Sequence, residues 1–549
     1  MASSSAVAIP KLLFPRPCRR LVSTTPLRAA STSPQRRAAP APEPAAAAST
    51  KPFSAIPGPL ALPMLRHSYH VLPRIGCFHH TVGLGLLEGL RERYGDVVRL
   101  AKASRSRPAL YVFDPGMMQQ VYDSCVTEPP VWERSPLRQQ RKRAGRNYNS
   151  VNGDETKAVW AAIRALLQDE TLLTNYDTVF DEIATDTARR LGELRGTDNA
   201  LNEELETEVY RWAIETIGVM LFGIRLGCLD GAIHISKTDK RTPEKTSMDY
   251  HVPDLCSLSK RSLEELTPAE RMVRCSREIA DGNYLVRSEH TLKTESPTFI
   301  NALAAFDRHF SLTEHFLLKA LRVLNKNDVK PEQVLLDKLR PLDQRLLSLA
   351  ADAFLAGVDP LAHTAVSMLH QLSLHAAQQQ RAHDEVRWAA AAAAAAVGEG
   401  AARPAAPYVA ACAREAVRLH PATGGVVRRS REPLVVGGYD VPAGVDIVLA
   451  HGVTSKSEKQ WGRAKAFIPE RWCKEGWDPL KASKAHPLAS MPFGETCPAA
   501  GVVGRMLAAL AARLLDKYRV EWHGPAPNIA TTGVNKLQPP FYFVLQEAC

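Results

Sequence analysis

The chain has 549 residues, of which 45% are apolar and 23% charged, which is enough apolar material for a large folded core. No uncharged, strongly apolar run reaches the roughly 18 residues that a bilayer-spanning helix needs. The ten cysteines form no Cys-x-x-Cys pair and no zinc-like spacing with histidines, and no Gly-Lys dipeptide occurs. The sequence therefore indicates no disulfide framework, no zinc site and no Walker A phosphate loop.

Positive charge is concentrated at the N-terminus. The net charge is +11, and residues 1–50 carry seven cations against a single acid, Glu43. A basic, Ser- and Ala-rich, acid-poor leader is typical of an organelle transit peptide, and a disordered basic tail is the alternative. Residues 38–50 are Ala/Pro-rich and predict a linker. The remaining positive charge is too diffuse to indicate a nucleic-acid partner.

The first predicted elements of the folded part are short. Leu86 to Tyr94 has the pattern of a helix ended by Gly95, and Asp96 to Leu100 that of a strand. Further along, the apolar positions within Glu203 to Leu229 predict one long helix.

Trp160 and Arg164 form a candidate anion-binding pair. They are four residues apart within a helical pattern and so share one face. An indole and a guanidinium on one face can both donate hydrogen bonds to a single carboxylate. The alternative is a surface pair with a half-buried tryptophan.

Residues 341–372 give the longest strong helical pattern, and an unusual turn interrupts its apolar face. Ala356-Gly357-Val358-Asp359-Pro360 places a glycine, an acid and a proline together. Glycine lets another group lie close against the helix. Pro360 cannot donate a hydrogen bond to the carbonyl of Ala356, which predicts a kink. The alternative is two helices, with Pro360 at the first position of the second.

The region after Pro407 predicts a helix and then several short strands. The helix carries Glu415 and Arg418, an intrahelical ion pair at i, i+3. Arg471 follows in the turn Phe467 to Trp472. The predicted strands are Leu434 to Val436, Gly438 to Val441, Ile447 to Leu449, Tyr518 to Trp522 and Phe541 to Leu545.

Cys497 is the candidate metal ligand. It follows the turn Phe493-Gly494, and an apolar helical pattern begins near Gly504. A thiol just before a helix N-terminus lies at the positive end of the helix dipole, which favours the metal-binding thiolate. The alternative is a buried free cysteine before an ordinary helix.

Taken in order, these pieces resemble a cytochrome P450, a haem-thiolate monooxygenase, from about residue 51 to the end. Glu415 to Arg418 is similar to the family's Glu-x-x-Arg helix, and Arg471 to the arginine that completes its Glu-Arg-Arg triad. The resemblance implies a mainly α fold with a smaller β-rich part, the cytochrome P450 fold. Ala356 to Asp359 matches the long helix above the haem.

The same resemblance implies haem b as cofactor, with an axial thiolate from Cys497. Trp160, Arg164 and Arg428 match the donors that bind the two haem propionates, because buried carboxylates need cationic or hydrogen-bonding partners. A thiolate ligand pushes electron density onto iron and favours O–O cleavage.

Two further stretches resemble the mitochondrial clan of animals, namely Tyr210 to Leu229 and the entry Lys51 to Pro59. This implies a mitochondrial transit peptide and linker over 1–50 and a catalytic domain over 51–549. It also implies the matrix side of the inner membrane, with peripheral membrane contact. Members of the clan take electrons from an acidic ferredoxin, and Arg414 matches one basic contact for it.

Two departures from the family pattern concern the site itself. The family's cysteine loop runs Phe-Gly-x-Gly-x-Arg-x-Cys-x-Gly, whereas Cys497 comes only four residues after Phe493. An alignment on the following helix would put Val502 at the ligand position, but only a cysteine supplies a thiolate. Pro360 stands where the family has an oxygen-activating threonine. Asp359 remains as the acid, and Thr364, about one turn further on, is the candidate substitute.

The expected reaction is insertion of one oxygen atom from O₂ into a lipophilic substrate, for which a steroid is one candidate. One alternative is a haem-thiolate isomerase or dehydratase, which needs no proton relay. The other is a catalytically impaired protein that keeps the P450 fold.

Overall fold

Helices dominate the computed structural model of the chain, and short strands form small sheets beside them. Thr50–Cys549 forms one compact unit. The structure describes residues 50–60, 83–100, 107–127, 137, 140, 154–201, 204–231, 261–288, 297–324, 329–342, 344–395, 406–473, 480–495, 497–531 and 534–548. The predicted transit peptide and linker lie outside the described residues, apart from Thr50.

The mainly α prediction agrees with the observed elements. In chain order the helices are α1 (Leu84–Tyr94), α2 (Pro115–Tyr122), α3 (Asp154–Leu166), α4 (Glu170–Leu194), α5 (Leu205–Phe222), α6 (Pro268–Ser288), α7 (Pro297–Leu324), α8 (Val334–Leu339), α9 (Gln344–Leu374), α10 (Ala376–Ala395), α11 (Pro407–Leu419), α12 (His451–Thr454) and α13 (Ala500–Lys517).

The strands are short and pair across long stretches of sequence. They are β1 (Lys51–Pro52), β2 (Val97–Leu100), β3 (Ala109–Val112), β4 (Val126–Thr127), β5 (Val426–Ser430), β6 (Leu434–Val436), β7 (Tyr439–Val441), β8 (Asp446–Leu449), β9 (Tyr518–Trp522), β10 (Ile529–Thr531), β11 (Asn535–Leu537) and β12 (Phe543–Glu547). The largest described sheet has the order β2-β3-β8-β5-β4, in which β3 and β8 are parallel. The other sheets are β1-β7-β6, β10-β11 and β12-β9.

Helix α5 runs through the core, because all but one of its residues are buried. The single helix predicted over Glu203 to Leu229 is wrong at its C-terminal end. Gly223 adopts a left-handed conformation with φ 62° and ends the helix. Glu215, one of the buried residues, then accepts hydrogen bonds from the backbone N–H groups of residues 226, 227 and 228. Those bonds turn the following segment back against α5.

Helix α9 continues through Pro360 without interruption, so the alternative of two helices meeting there is wrong. Gly357 gives room to α5, because a Cβ at that position would lie 3.0 Å from Ile217 Cδ1. Among the described residues, the helical segment Arg345–Leu374 is long and apolar enough to cross a bilayer. However, 56% of its apolar 18-residue stretch is buried inside the protein. That burial is typical of a core helix.

A buried ion cluster joins α11 to the turn Pro469–Trp472. Glu415 accepts hydrogen bonds from Arg418 Nη2 at 2.7 Å and from Arg471 Nε at 3.1 Å. Arg418 also donates to backbone carbonyls of Ser455 and Ala464. The predicted Glu415–Arg418 pair is thus part of the core.

Candidate functional site

The segment that leads to Cys497 is a tight turn packed on β5. Gly494 has a φ of 61°, and its N–H donates to the carbonyl of Met491 at 3.1 Å. A Cβ on Gly494 would lie 2.7 Å from Val426 Cγ1, so glycine permits this close approach. Helix α13 begins at Ala500, four residues earlier than the apolar pattern predicts. The turn therefore leads from its contact with β5 to Cys497, which stands three residues before the start of α13.

Opposing effects act on the Cys497 thiol. Burial raises its pKa, while the backbone N–H groups of Ala499 and Ala500 and the charge of Arg164 lower it. The helix N-terminus lowers the pKa of the thiol as predicted, but burial raises it by more, so the net shift is upward. Such a thiol ionises readily only when a metal ion adds positive charge, and a coordinating thiol is then deprotonated outright.

Two arginines have unused hydrogen-bonding capacity, namely Arg164, whose charge acts on this thiol, and Arg428, which lies beside Glu495 in the preceding turn. Arg164 Nε and Arg428 Nη2 are buried and have no hydrogen-bond partner. Trp160 lies one turn before Arg164 on α3 and is half-buried against the main core. Buried cationic donors without partners are costly unless an anion binds them. A haem with two propionates and a thiolate ligand fits this set of donors.

Arg428 lies above the ring of Tyr122, with its guanidinium carbon 5.8 Å from the ring centroid. The Tyr122 hydroxyl is 2.9 Å from His451 Nε2, and His451 Nδ1 is 2.8 Å from the carbonyl of Leu488. Burial lowers the pKa of His451 to about 4 and raises that of Tyr122 to about 12. His451 is therefore neutral, with Nδ1–H donating to Leu488 and Nε2 accepting from Tyr122.

Asp359 contacts one residue of α5 and one residue of its own helix, α9. Its carboxylate accepts a hydrogen bond from the Tyr210 hydroxyl, and His363 Nε2 lies 3.1 Å away. Burial raises its pKa, but the hydrogen bond and charge of His363, with Lys536 and Tyr210, lower it to about 2. Asp359 is consequently an anion at neutral pH.

Thr364 lies one turn after Pro360 on α9. Its hydroxyl donates to the carbonyl of Pro360 at 2.6 Å, which is a common bond of threonine within a helix. Its proton is therefore directed into its own helix, and its oxygen keeps lone pairs for another donor.

Sequence reasoning did not select Glu495, Tyr210 or His363. Glu495 lies 3.5 Å from Arg428, and the family pattern itself could have signalled it. It stands two residues before Cys497, where that pattern has an arginine. Tyr210 gave no such signal, since its contact with Asp359 depends on the packing of α5 against α9. His363 lies four residues after Asp359 on the same helix, so its i, i+4 spacing could have signalled the contact.

A cysteine at the start of a helix, with two incompletely paired guanidinium groups around the turn before it, is a donor set that fits a haem-thiolate site. The sequence model of the family described as Cytochrome P450 matches residues 70–544. The chain belongs to the cytochrome P450 family, the haem b monooxygenases with a thiolate iron ligand.

Relatives and solved structures agree with this assignment. Probable cytochrome P450 49a1 of Drosophila melanogaster is 24% identical over 489 residues, covering 86% of this chain and 79% of the relative. The 25-hydroxyvitamin D-1 alpha hydroxylase, mitochondrial, of Rattus norvegicus is 26% identical over 426 residues, covering 74% and 76%. The cytochrome P450DA heme domain superposes with a TM-score of 0.65 at 16% identity, covering 90% of this chain and 98% of that one. The structural likeness shows that the fold is that of a P450 haem domain.

Proposed function

We propose that this cytochrome P450 inserts one oxygen atom from O₂ into a lipophilic small molecule, with electrons from a ferredoxin. The observation that carries the proposal is the grouping of Cys497 with two arginines, Arg164 and Arg428, that each have a buried nitrogen without a hydrogen-bond partner. A thiolate-ligated haem supplies the activation of O₂. The rat relative is named as a hydroxylase of a vitamin D compound. That name supports a lipophilic substrate, with a steroid as one candidate.

Each residue proposed to hold the haem has its own role. Cys497 supplies the axial thiolate. Arg164 and Trp160, which lie on one face of α3, bind one propionate, and Arg428 binds the other. Guanidinium and indole N–H groups suit carboxylates, because charge-assisted hydrogen bonds are the strong ones.

Asp359 and Thr364 are the proposed proton-handling residues of α9. Asp359 holds a negative charge between His363 and Tyr210, so it takes up a proton only when those contacts loosen. The Thr364 oxygen can accept a hydrogen bond from a water molecule while its proton stays on the carbonyl of Pro360. Because Pro360 has no hydroxyl, we expect weaker coupling of electron use to product than a threonine would give.

The electron donor is proposed to dock on the exposed face of α11. Arg414 is exposed, and its guanidinium carbon lies 4.6 Å from the centroid of the Trp472 ring. Packing on an aromatic ring pre-orients the charge, which suits an acidic partner. Glu415, the next residue, belongs to the buried ion cluster, so this face is rigidly supported.

We further propose that the protein works on the matrix side of the mitochondrial inner membrane, with peripheral membrane contact. Several relatives carry mitochondrial names, among them probable cytochrome P450 301a1 of Drosophila melanogaster, which is 24% identical over 511 residues. The basic leader over residues 1–50 supports import as a transit peptide.

The test is the absorption spectrum of the reduced protein with CO, which reports thiolate-ligated haem directly. The wild-type protein should give the thiolate band, and Cys497→Ala should lose it while retaining its fold by circular dichroism. Persistence of the band in Cys497→Ala would contradict the ligand assignment. Turnover of an oxygenated substrate without any electron donor would instead favour an isomerase or dehydratase.

A further inference from the structure

Arg428 already has an acidic neighbour from its own chain. Glu495 Oε2 lies 3.5 Å from Arg428 Nη2, within ion-pair distance but without the geometry of a hydrogen bond. The Arg428 side chain is 6% exposed, whereas that of Glu495 is 45% exposed. The arginine is thus fixed in place, and the glutamate reaches it from the solvent side.

The other contacts of Arg428 leave its Nη2 free to face a carboxylate. Its Nη1 donates to the carbonyl of Val427 at 3.1 Å, and its guanidinium lies above the Tyr122 ring. Within the part of the chain that the structure describes, Glu495 is the acidic side chain at ion-pair distance from it. The Gly494 turn on β5 brings that acid, which stands two residues before Cys497 in the sequence, to Arg428.

We infer that Glu495 competes with a haem propionate for Arg428. This inference rests on the role proposed above for Arg428. One guanidinium cannot satisfy two separate carboxylates in a confined site without bringing two negative charges together. When haem binds, the Glu495 carboxylate must leave the guanidinium, and its exposure allows that movement. The chain therefore binds haem more weakly than the same site with a neutral side chain at position 495.

The inference is tested by the rate at which haem leaves the holoenzyme for an excess of a haem-scavenging apoprotein. Glu495→Gln removes the charge and keeps the size of the side chain. Haem transfer from this variant should be about fivefold slower than from wild type, the size expected for one partly exposed ion pair. Glu432→Gln, at an exposed acid after β5, is the matched control and should transfer haem at the wild-type rate.

Two additional measurements separate charge competition from a packing effect. After exchange of haem b for its dimethyl ester, whose propionates are uncharged, Glu495→Gln should give no slowing. In an Arg428→Gln background, Glu495→Gln should lose most of its effect, because the contested guanidinium is gone.

Equal or faster haem loss from Glu495→Gln would overturn the inference while leaving the proposed function intact. The same holds if Glu495→Gln slows the loss of the dimethyl ester as much as it slows the loss of haem b. Failure of both wild type and Glu495→Gln to bind haem would overturn the inference and the proposed function together.

Discussion

Glu415 is fully buried, and its two carboxylate oxygens accept hydrogen bonds from Arg418, Arg471, the Trp472 indole and the N–H of Ile468. One carboxylate thus holds together α11 and the turn that carries Arg471. A buried charge is tolerated only when it is paired and hydrogen-bonded. The contribution of Arg418 and Arg471 to stability therefore depends on Glu415, which neutralises their charge.

We expect Glu415→Gln to destabilise the protein by about 3–5 kcal/mol, because it leaves two buried guanidinium groups without their anion. The measurement is urea unfolding followed by circular dichroism, with Glu432→Gln as a surface control that should stay within about 0.5 kcal/mol of wild type. A loss below about 1 kcal/mol for Glu415→Gln would mean that the ion cluster is not a main support of the fold.

At the scale of elements, Arg414 on α11 gives a prediction about electron transfer. Arg414→Glu should slow reduction by an acidic ferredoxin on the order of tenfold at low salt, because it reverses a charge at the proposed docking face. Rates would be measured by stopped-flow spectroscopy over a range of salt concentrations. The wild-type rate should fall as salt rises, since exposed charges are screened over about 8–10 Å.

Arg519→Glu is the control for this experiment, because Arg519 is 61% exposed and lies on β9 instead of α11. It should leave the rate near that of wild type. Equal slowing by both variants would point to the overall charge of the protein as the cause. No slowing by Arg414→Glu would rule out this docking face.

Helix α9 gives a second prediction at this scale. Pro360→Thr should raise the product formed per electron consumed and lower the peroxide released, because it adds a hydroxyl beside Asp359. Pro360→Ala is the matched control, since it restores the backbone N–H without the hydroxyl. If alanine improves coupling as much as threonine does, the helix hydrogen bond and not the hydroxyl is responsible.

The elements also show what sequence patterns can predict. Helices α9 and α11 were predictable within a few residues, because their apolar spacing is set by their own sequence. The end of α5 was not, because a left-handed Gly223 and the bonds from Glu215 to a later segment decide it. Strand β12 is shifted two residues from the predicted Phe541 to Leu545, since its pairing with β9 sets its limits.

In the candidate site too, some features follow from the local sequence and others depend on how distant parts of the chain pack together. The pairing of Trp160 with Arg164 on one helix face is a local property and follows from spacing. The contact of Glu495 with Arg428 joins positions far apart in the chain, and only the packing of the Gly494 turn on β5 brings them together. The state of the Cys497 thiol likewise depends on burial, which the local sequence does not express.

For the molecule as a whole, the buried groups with strongly shifted pKa values govern its response to pH. Burial is the main cause that lowers the pKa of both His420 and His451 to about 4. An unfolded histidine has a pKa of about 6.5, so the folded state binds fewer protons than the unfolded state between these values. The stabilisation from these neutral histidines is therefore complete above pH about 6.5 and is lost as the pH falls towards 4.

We expect the free energy of unfolding to decrease between pH 6.5 and pH 4, with His451 contributing up to about 3 kcal/mol of that decrease. His451→Asn should flatten this part of the profile, because asparagine can donate to the carbonyl of Leu488 but cannot take up the proton. His523→Asn, at a histidine whose side chain is 58% exposed, is the control and should follow the wild-type profile. Urea unfolding at a series of pH values measures all three proteins. If the difference in stability between wild type and His451→Asn stays constant across this range, the folded protein does not hold His451 neutral.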